Sequence, residues 1–231
     1  IIEELDVKIR TNTRVGKDIL LDDLRKNYDA LFIGVGSHLD VKLGVPGEDM
    51  EGVVSGSDYL KRVNMGEKIL LGNRVAVVGG GNVAMDAVRT AVRSGSGDVF
   101  ILYGRSEAEM PAAPEEIAEA EEEGIRMELL VATTRILGAN GKVTGIECLR
   151  MELGEADAGG RRRPVSIEGS EFIIPVDAVI AAIGQQNDLS LLPVGSGIAV
   201  DKWNNLAVDP VTFATGVSGI FAGGDVVTGP A

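Results

Sequence analysis

Between residues 74 and 130 the chain switches between two spacings of apolar residues. Arg74-Val75-Ala76-Val77-Val78 is a short, nearly continuous apolar run, which predicts a buried strand. Met85, Val88, Ala91 and Val92 then fall at i, i+3, i+6 and i+7, the period of a helix face, and Ser94-Gly95 ends it. Residues 98–103 predict a second strand. A loop with Pro111 and Pro114 follows, then an acidic helix over 115–123 closed by Gly124, and a third strand over 125–131. This strand–helix alternation predicts an α/β fold, a Rossmann-like doubly wound parallel sheet.

The flanks are plainer. Residues 29–36 form an apolar run ending in glycine, read as a strand. An amphipathic turn is expected around 20–24 and a short helix over 57–63, capped by Ser57. After the third strand, the turn Ala139-Asn140-Gly141-Lys142 separates strands at 133–137 and 143–153, which predicts an antiparallel β flap. Residues 154–164 read as a polar loop around the basic triplet Arg161-Arg162-Arg163, expected to be a solvated hairpin tip. Residues 172–174 and 177–183 read as strands, the latter ending at Gly184. Trp203-Asn204-Asn205 predicts a turn with the indole partly packed, and the run Glu115, Glu116 and Glu119 to Glu123 a solvated helix face.

The chain of 231 residues exceeds the usual ~100–150 of one domain. Glycine is its compositional outlier, with 31 residues against an average of roughly 7%. Such an excess suits many tight turns and close backbone approaches. A formal net charge of −13 argues against nucleic acid, whose phosphates call for surplus Lys and Arg. It does not bar an anionic ligand held by backbone N–H groups. The single cysteine, Cys148, is expected to be a small core residue, and neither an internal disulfide nor a cysteine-ligated cluster can come from it alone. His38, the only histidine, reads as a loop residue, and no metal site is expected. With no apolar run of about 18 residues and no signal peptide, the cytoplasm is the expected location.

The chemistry lies in Gly79-Gly80-Gly81-Asn82-Val83-Ala84, set between the predicted strand and helix. Gly79 permits the tight turn, Gly81 lets the backbone approach a pyrophosphate, and Ala84 lets the helix lie close to the strand. The helix start then supplies N–H groups and the positive end of its dipole to the phosphates. At the tip of the second strand an acid would hold the ribose 2′-hydroxyl of NAD, whereas an arginine would accommodate the 2′-phosphate of NADP. Arg105 in Leu102-Tyr103-Gly104-Arg105-Ser106 favours NADP, while Glu107 leaves NAD open.

Gly79 to Asp86, the segment Ser106-Glu107-Ala108-Glu109-Met110-Pro111-Ala112 with the acidic helix behind it, and Gly219-Ile220-Phe221-Ala222-Gly223-Gly224-Asp225 together resemble the small, flavin-containing subunit of glutamate synthase and its relatives. The resemblance runs over nearly the whole chain. It implies an NAD(P)-binding domain at 71–184 inserted into an FAD-binding Rossmann-like domain, represented in part by 1–70 and 185–231. It also implies that Asp225, beside Gly224, meets an FAD ribityl hydroxyl. Gly36 and Ser37 would pass close to FAD, and Ala182, Ile183 and Gly184 close to NAD(P).

Relatives usually carry two consecutive basic residues at the second-strand tip, where this chain has Gly104 and Arg105. The upstream FAD fingerprint and cysteine-rich iron–sulfur segment of the family are not in this sequence, so a fragment is expected, one that alone binds NADP(H) without FAD and is inactive. The implied enzyme passes hydride between NADPH and FAD, and electrons go on through iron–sulfur centres outside this chain to a larger catalytic subunit. No catalytic side chain is expected here, because the cofactors carry the reaction. The rivals are a non-catalytic nucleotide-binding or docking module of a redox complex, and a flavin disulfide reductase, which would need a second cysteine.

Overall fold

The computed structural model describes Leu5, residues 7–156 and residues 162–230. Its elements in chain order are α1 (Leu21–Asn27), β1 (Leu31–Ile33), β2 (Leu39–Asp40), β3 (Val53–Ser55), α2 (Gly56–Asn64), β4 (Arg74–Val78), α3 (Asn82–Arg93), β5 (Asp98–Tyr103), α4 (Pro114–Glu122), β6 (Arg126–Leu129), β7 (Val131–Ala139), β8 (Lys142–Ala156), β9 (Arg162–Ser166), β10 (Phe172–Pro175), β11 (Ala178–Ala181), β12 (Gln185–Gln186), β13 (Ile220–Ala222) and α5 (Asp225–Thr228). They form two compact units, residues 40–184 and residues 1–39 with 185–231.

The unit of residues 40–184 is built on a five-stranded parallel sheet in the order β3-β11-β4-β5-β6. Its central strands are buried on both faces, which is why they read as near-continuous apolar runs. Alternate residues still separate cleanly. Val75, Val77, Val99, Ile101, Ala178 and Ile180 face a core shared with Ala84, Met85, Val88 and Ala91 of α3 and with Ile117 and Ala120 of α4. Ala76, Phe100, Leu102 and Val179 face the other way, against Val131, Ile136, Val143, Ile146 and Cys148. The antiparallel flap β10-β8-β7 therefore covers the face that helices cover in a fully doubly wound sheet.

The hairpin of β7 and β8 closes through Asn140 and Gly141, both at positive φ (52° and 79°), as a two-residue turn with matching twist requires. Three expectations need correction. The polar loop over 154–164 is a strand pair at its edges, with β8 running to Ala156 and β9 starting at Arg162. Alternating burial in β8 extends the ladder past the hairpin core. Arg161 lies outside the described residues. Ser57 falls inside the first turn of α2, because the helix begins at Gly56 behind Ser55. The boundary expected near residue 70 sits at 39/40, since β3 pairs in parallel with β11 and so joins the five-stranded sheet.

In the second unit β1 pairs in parallel with β13, over a core of Leu21, Ile33, Leu191, Ile198, Leu206, Ile220, Ala222 and Val226. Trp203, expected to be partly packed, is 70% exposed, with Lys202 Nζ 4.9 Å from its ring centroid. An indole in so short a turn finds no apolar wall to lie against.

Candidate functional site

The glycine loop joins the C-terminal end of β4 to the start of α3, and each of its three glycines meets a different constraint. Gly79 has φ +148°, and a Cβ there would overlap the carbonyl oxygen of Ala182. That carbonyl belongs to the end of β11, fastened to β4 by Ala182 N–H to Val78 O at 2.8 Å. Gly80 lies under the Tyr103 ring, 2.7 Å from where its Cβ would stand, and its carbonyl accepts from Ala112 N–H at 3.1 Å. Gly81 differs. Its nearest neighbour would be Pro111 Cγ at 3.8 Å, so a side chain there would project into open space. Gly79 and Gly80 are thus needed by the protein itself, while Gly81 borders open space that its lack of a side chain leaves clear.

Gly81 is the N-cap of α3, with no side-chain cap and no acid in the first turn. Ala84 and Met85 N–H bond back to Gly81 O, and the amides of Asn82 and Val83 find no acceptor among the described residues. These orphan donors, at the positive end of a 12-residue helix, form a cradle for an anion. Ala84 is fully buried, as close helix–strand packing requires. Val83 turns toward Gly56 at the start of α2, and Asn82 Oδ1 accepts from Ala113 N–H at 2.9 Å. The side chains of both therefore brace the loop, and their backbones are what face the cradle.

Sequence reasoning missed the wall that residues 106–113 build beside this cradle. Tyr103 Oη donates to Glu109 O at 2.7 Å, Ala112 to Gly80, and Ala113 to Asn82. Behind the wall, Arg89 of α3 reaches Glu116, Glu119 and Glu123 at 3.0, 2.6 and 2.9 Å, and Glu123 also takes Arg93. The run read as a solvated face is thus partly a latch between α3 and α4. Its glutamates recur at three and four residues, a signal that the sequence did carry. Arg89 and Arg93 hold the Glu123 carboxyl below the usual range. Arg105 stands past the end of β5, half-buried, with no carboxylate paired to it among the described residues. Ile183 and Gly184 continue from Ala182 as an exposed segment, Gly184 at φ +136°.

The second unit brings Gly36, Ser37, Gly224 and Asp225 together, at the C-terminal ends of its two parallel strands. Ser37 Oγ lies 3.3 Å from Asp225 O and donates to Asn187 Oδ1. Asn187, only 3% exposed, shares its two Nδ2 hydrogens among Asn204 O, Asn205 Oδ1 and Val226 O, which lie at 2.9, 3.0 and 3.2 Å. This buried amide was not singled out in the sequence, although a polar run directly after an apolar strand marks it. Gly36 (φ +68°) and Gly224 (φ +76°) have nothing within 4 Å of a built Cβ, so their backbones lie open to a close-approaching ligand. His38 is exposed, with Nε2 3.8 Å from Asp188 Oδ2. Cys148 is fully buried, and burial pushes its thiol up to about 12, which leaves it protonated and inert. Among the described residues no group of His, Cys, Asp and Glu could hold a metal ion, and no helix is long and apolar enough to cross a membrane.

Residues 2–231 match the model of the pyridine nucleotide-disulphide oxidoreductase family. The chain is 48% identical over 231 residues to the beta subunit of the NADP(+)-dependent formate dehydrogenase of Moorella thermoacetica, covering 99% of this chain and 32% of that protein. It is 38% identical over 246 residues to the glutamate synthase [NADPH] small chain of Escherichia coli K12, covering 97% and 51%. It thus spans about a third to a half of these relatives. In fold it is similar to FprA of Mycobacterium tuberculosis in complex with NADPH, with TM-score 0.77 and 20% identity, covering 95% of this chain and 63% of that one. By its matched length and its α/β architecture, this chain belongs to the pyridine nucleotide-disulphide oxidoreductase family, and within it is similar to the glutamate synthase small chains, as its glycine-rich segments predict.

Proposed function

We propose that the chain is part of an NADPH-dependent flavin oxidoreductase, with residues 40–184 holding NADP(H) and residues 1–39 with 185–231 contributing to an FAD site. The glycine loop carries this reading: at Gly81 the backbone lies open beside two unpaired amides, so a diphosphate can come closer than any side chain would allow. Arg105, free of carboxylate partners among the described residues, meets the 2′-phosphate. Ala182 lies against Gly79, and Ile183 and Gly184, which follow it as an exposed segment, meet the NADP(H) beyond. In the other unit, Gly36 and Gly224 let FAD approach, and Asp225 accepts from a ribityl hydroxyl while Ser37 holds its carbonyl and Asn187 that of Val226 beside it.

The bound nicotinamide and flavin supply the hydride chemistry. The side chains of this chain bind and orient them, and none is assigned a proton-transfer role. The relatives named as NADPH-linked beta subunits and small chains support a place beside a larger subunit, to which electrons pass through iron–sulfur centres outside this chain. Reduction of an added dye by NADPH, measured on the full-length protein with and without supplied FAD, tests the reading. FAD-dependent reduction is expected. NADPH binding without reduction at any FAD concentration would leave only a nucleotide-binding docking module.

A further inference from the structure

Beside the glycine loop, Arg105 has two acids within four residues, Glu107 and Glu109, and neither pairs with it. Glu107 is exposed. Glu109 is held elsewhere: its Oε2 accepts from Ser106 N–H at 3.2 Å and also from Ser106 Oγ–H. Its backbone is pinned too, by Tyr103 Oη on its carbonyl and by its own N–H on Ser106 O at 3.1 Å. Two donors from one residue thus fix this carboxylate, which lies four residues past Arg105 in sequence.

We infer that Ser106 is a positioning residue that sets nucleotide preference, by holding the Glu109 carboxylate away from Arg105. The inference rests on the reading that Arg105 meets the 2′-phosphate. An arginine already paired to a carboxylate offers a phosphate little net charge, and its donors are occupied. A carboxylate at the tip of the second strand is also the group that serves the ribose 2′-hydroxyl of NADH. The hold by Ser106 therefore leaves the Arg105 cation uncompensated by Glu109 when NADPH binds. Glu107, exposed and with no side-chain partner among the described residues, is outside this hold and stays the acid open to NADH.

A double-mutant cycle read as the ratio of NADPH to NADH affinity tests this by calorimetry on the purified protein. Ser106→Ala, which removes the hydroxyl donor and leaves only the longer backbone one, is expected to shrink the ratio by up to about tenfold, the worth of one charge-assisted contact, mainly by weakening NADPH. Glu109→Gln alone should leave the ratio unchanged. Added to Ser106→Ala it should restore the ratio, because the released side chain no longer carries charge. A ratio unchanged by Ser106→Ala, an equal loss for both nucleotides, or no rescue by Glu109→Gln would each overturn the inference. Arg105→Ala separates this from the underlying reading. If that variant kept the ratio, Arg105 would not meet the 2′-phosphate; if it collapsed the ratio while Ser106→Ala did not, only the role of Ser106 would fall.

Discussion

Of the three loop glycines, two are demanded by the fold and one opens onto free space. Gly79→Ala forces a side chain onto the Ala182 carbonyl at a φ that L residues rarely adopt, and is expected to cost more than about 1 kcal/mol in chemical denaturation. Asn187→Ala is expected to cost about 2 kcal/mol, since it strands the buried partners Ser37 Oγ and Val226 O and removes the bonds to Asn204 and Asn205. An unchanged denaturation midpoint for either would contradict its assigned role. The sequence made the glycines legible because their constraint is local: a strand, a bend and a helix in direct succession. It gave Gly80 no role of its own, because the Tyr103 ring over Gly80 arrives from the next strand.

Among the elements, the latch between α3 and α4 holds the wall beside the cradle. Arg89→Met should lower thermal stability at neutral pH, by an amount that shrinks with added salt. The pH dependence follows from Glu123, whose carboxyl is held below its ordinary value in the folded chain. Its contribution is present at any pH above the unfolded carboxylate range and is lost as the pH falls through the depressed value. The difference between wild type and Arg89→Met should therefore narrow on acidification, and a difference constant down to strongly acid pH would count against the latch. The helices themselves were legible from apolar spacing. Their latch was legible only in the spacing of Glu116, Glu119 and Glu123; its partner Arg89 lies about thirty residues away, and propensity says nothing of such pairs.

At the scale of the whole molecule, the fold class followed from the strand–helix order, and the flap from the Asn140-Gly141 turn. What the sequence could not reveal was that the flap would cover one face of the parallel sheet, or that β3 would join β11 more than a hundred residues away. Both depend on which apolar faces meet, a long-range choice that composition and period leave open. The family likeness filled part of that gap for the site, bringing Gly36 and Asp225 into one account although 188 residues separate Ser37 from its contact at Asp225.

The central claim is that the bare bend at Gly81 is where a diphosphate rests. Calorimetric titration of NADPH into wild-type and Gly81→Val protein tests it most directly, with thermal melts run alongside. The open space around Gly81 predicts that the valine variant melts with the wild type yet shows no NADPH binding. Unchanged NADPH affinity in a folded Gly81→Val protein would contradict the account.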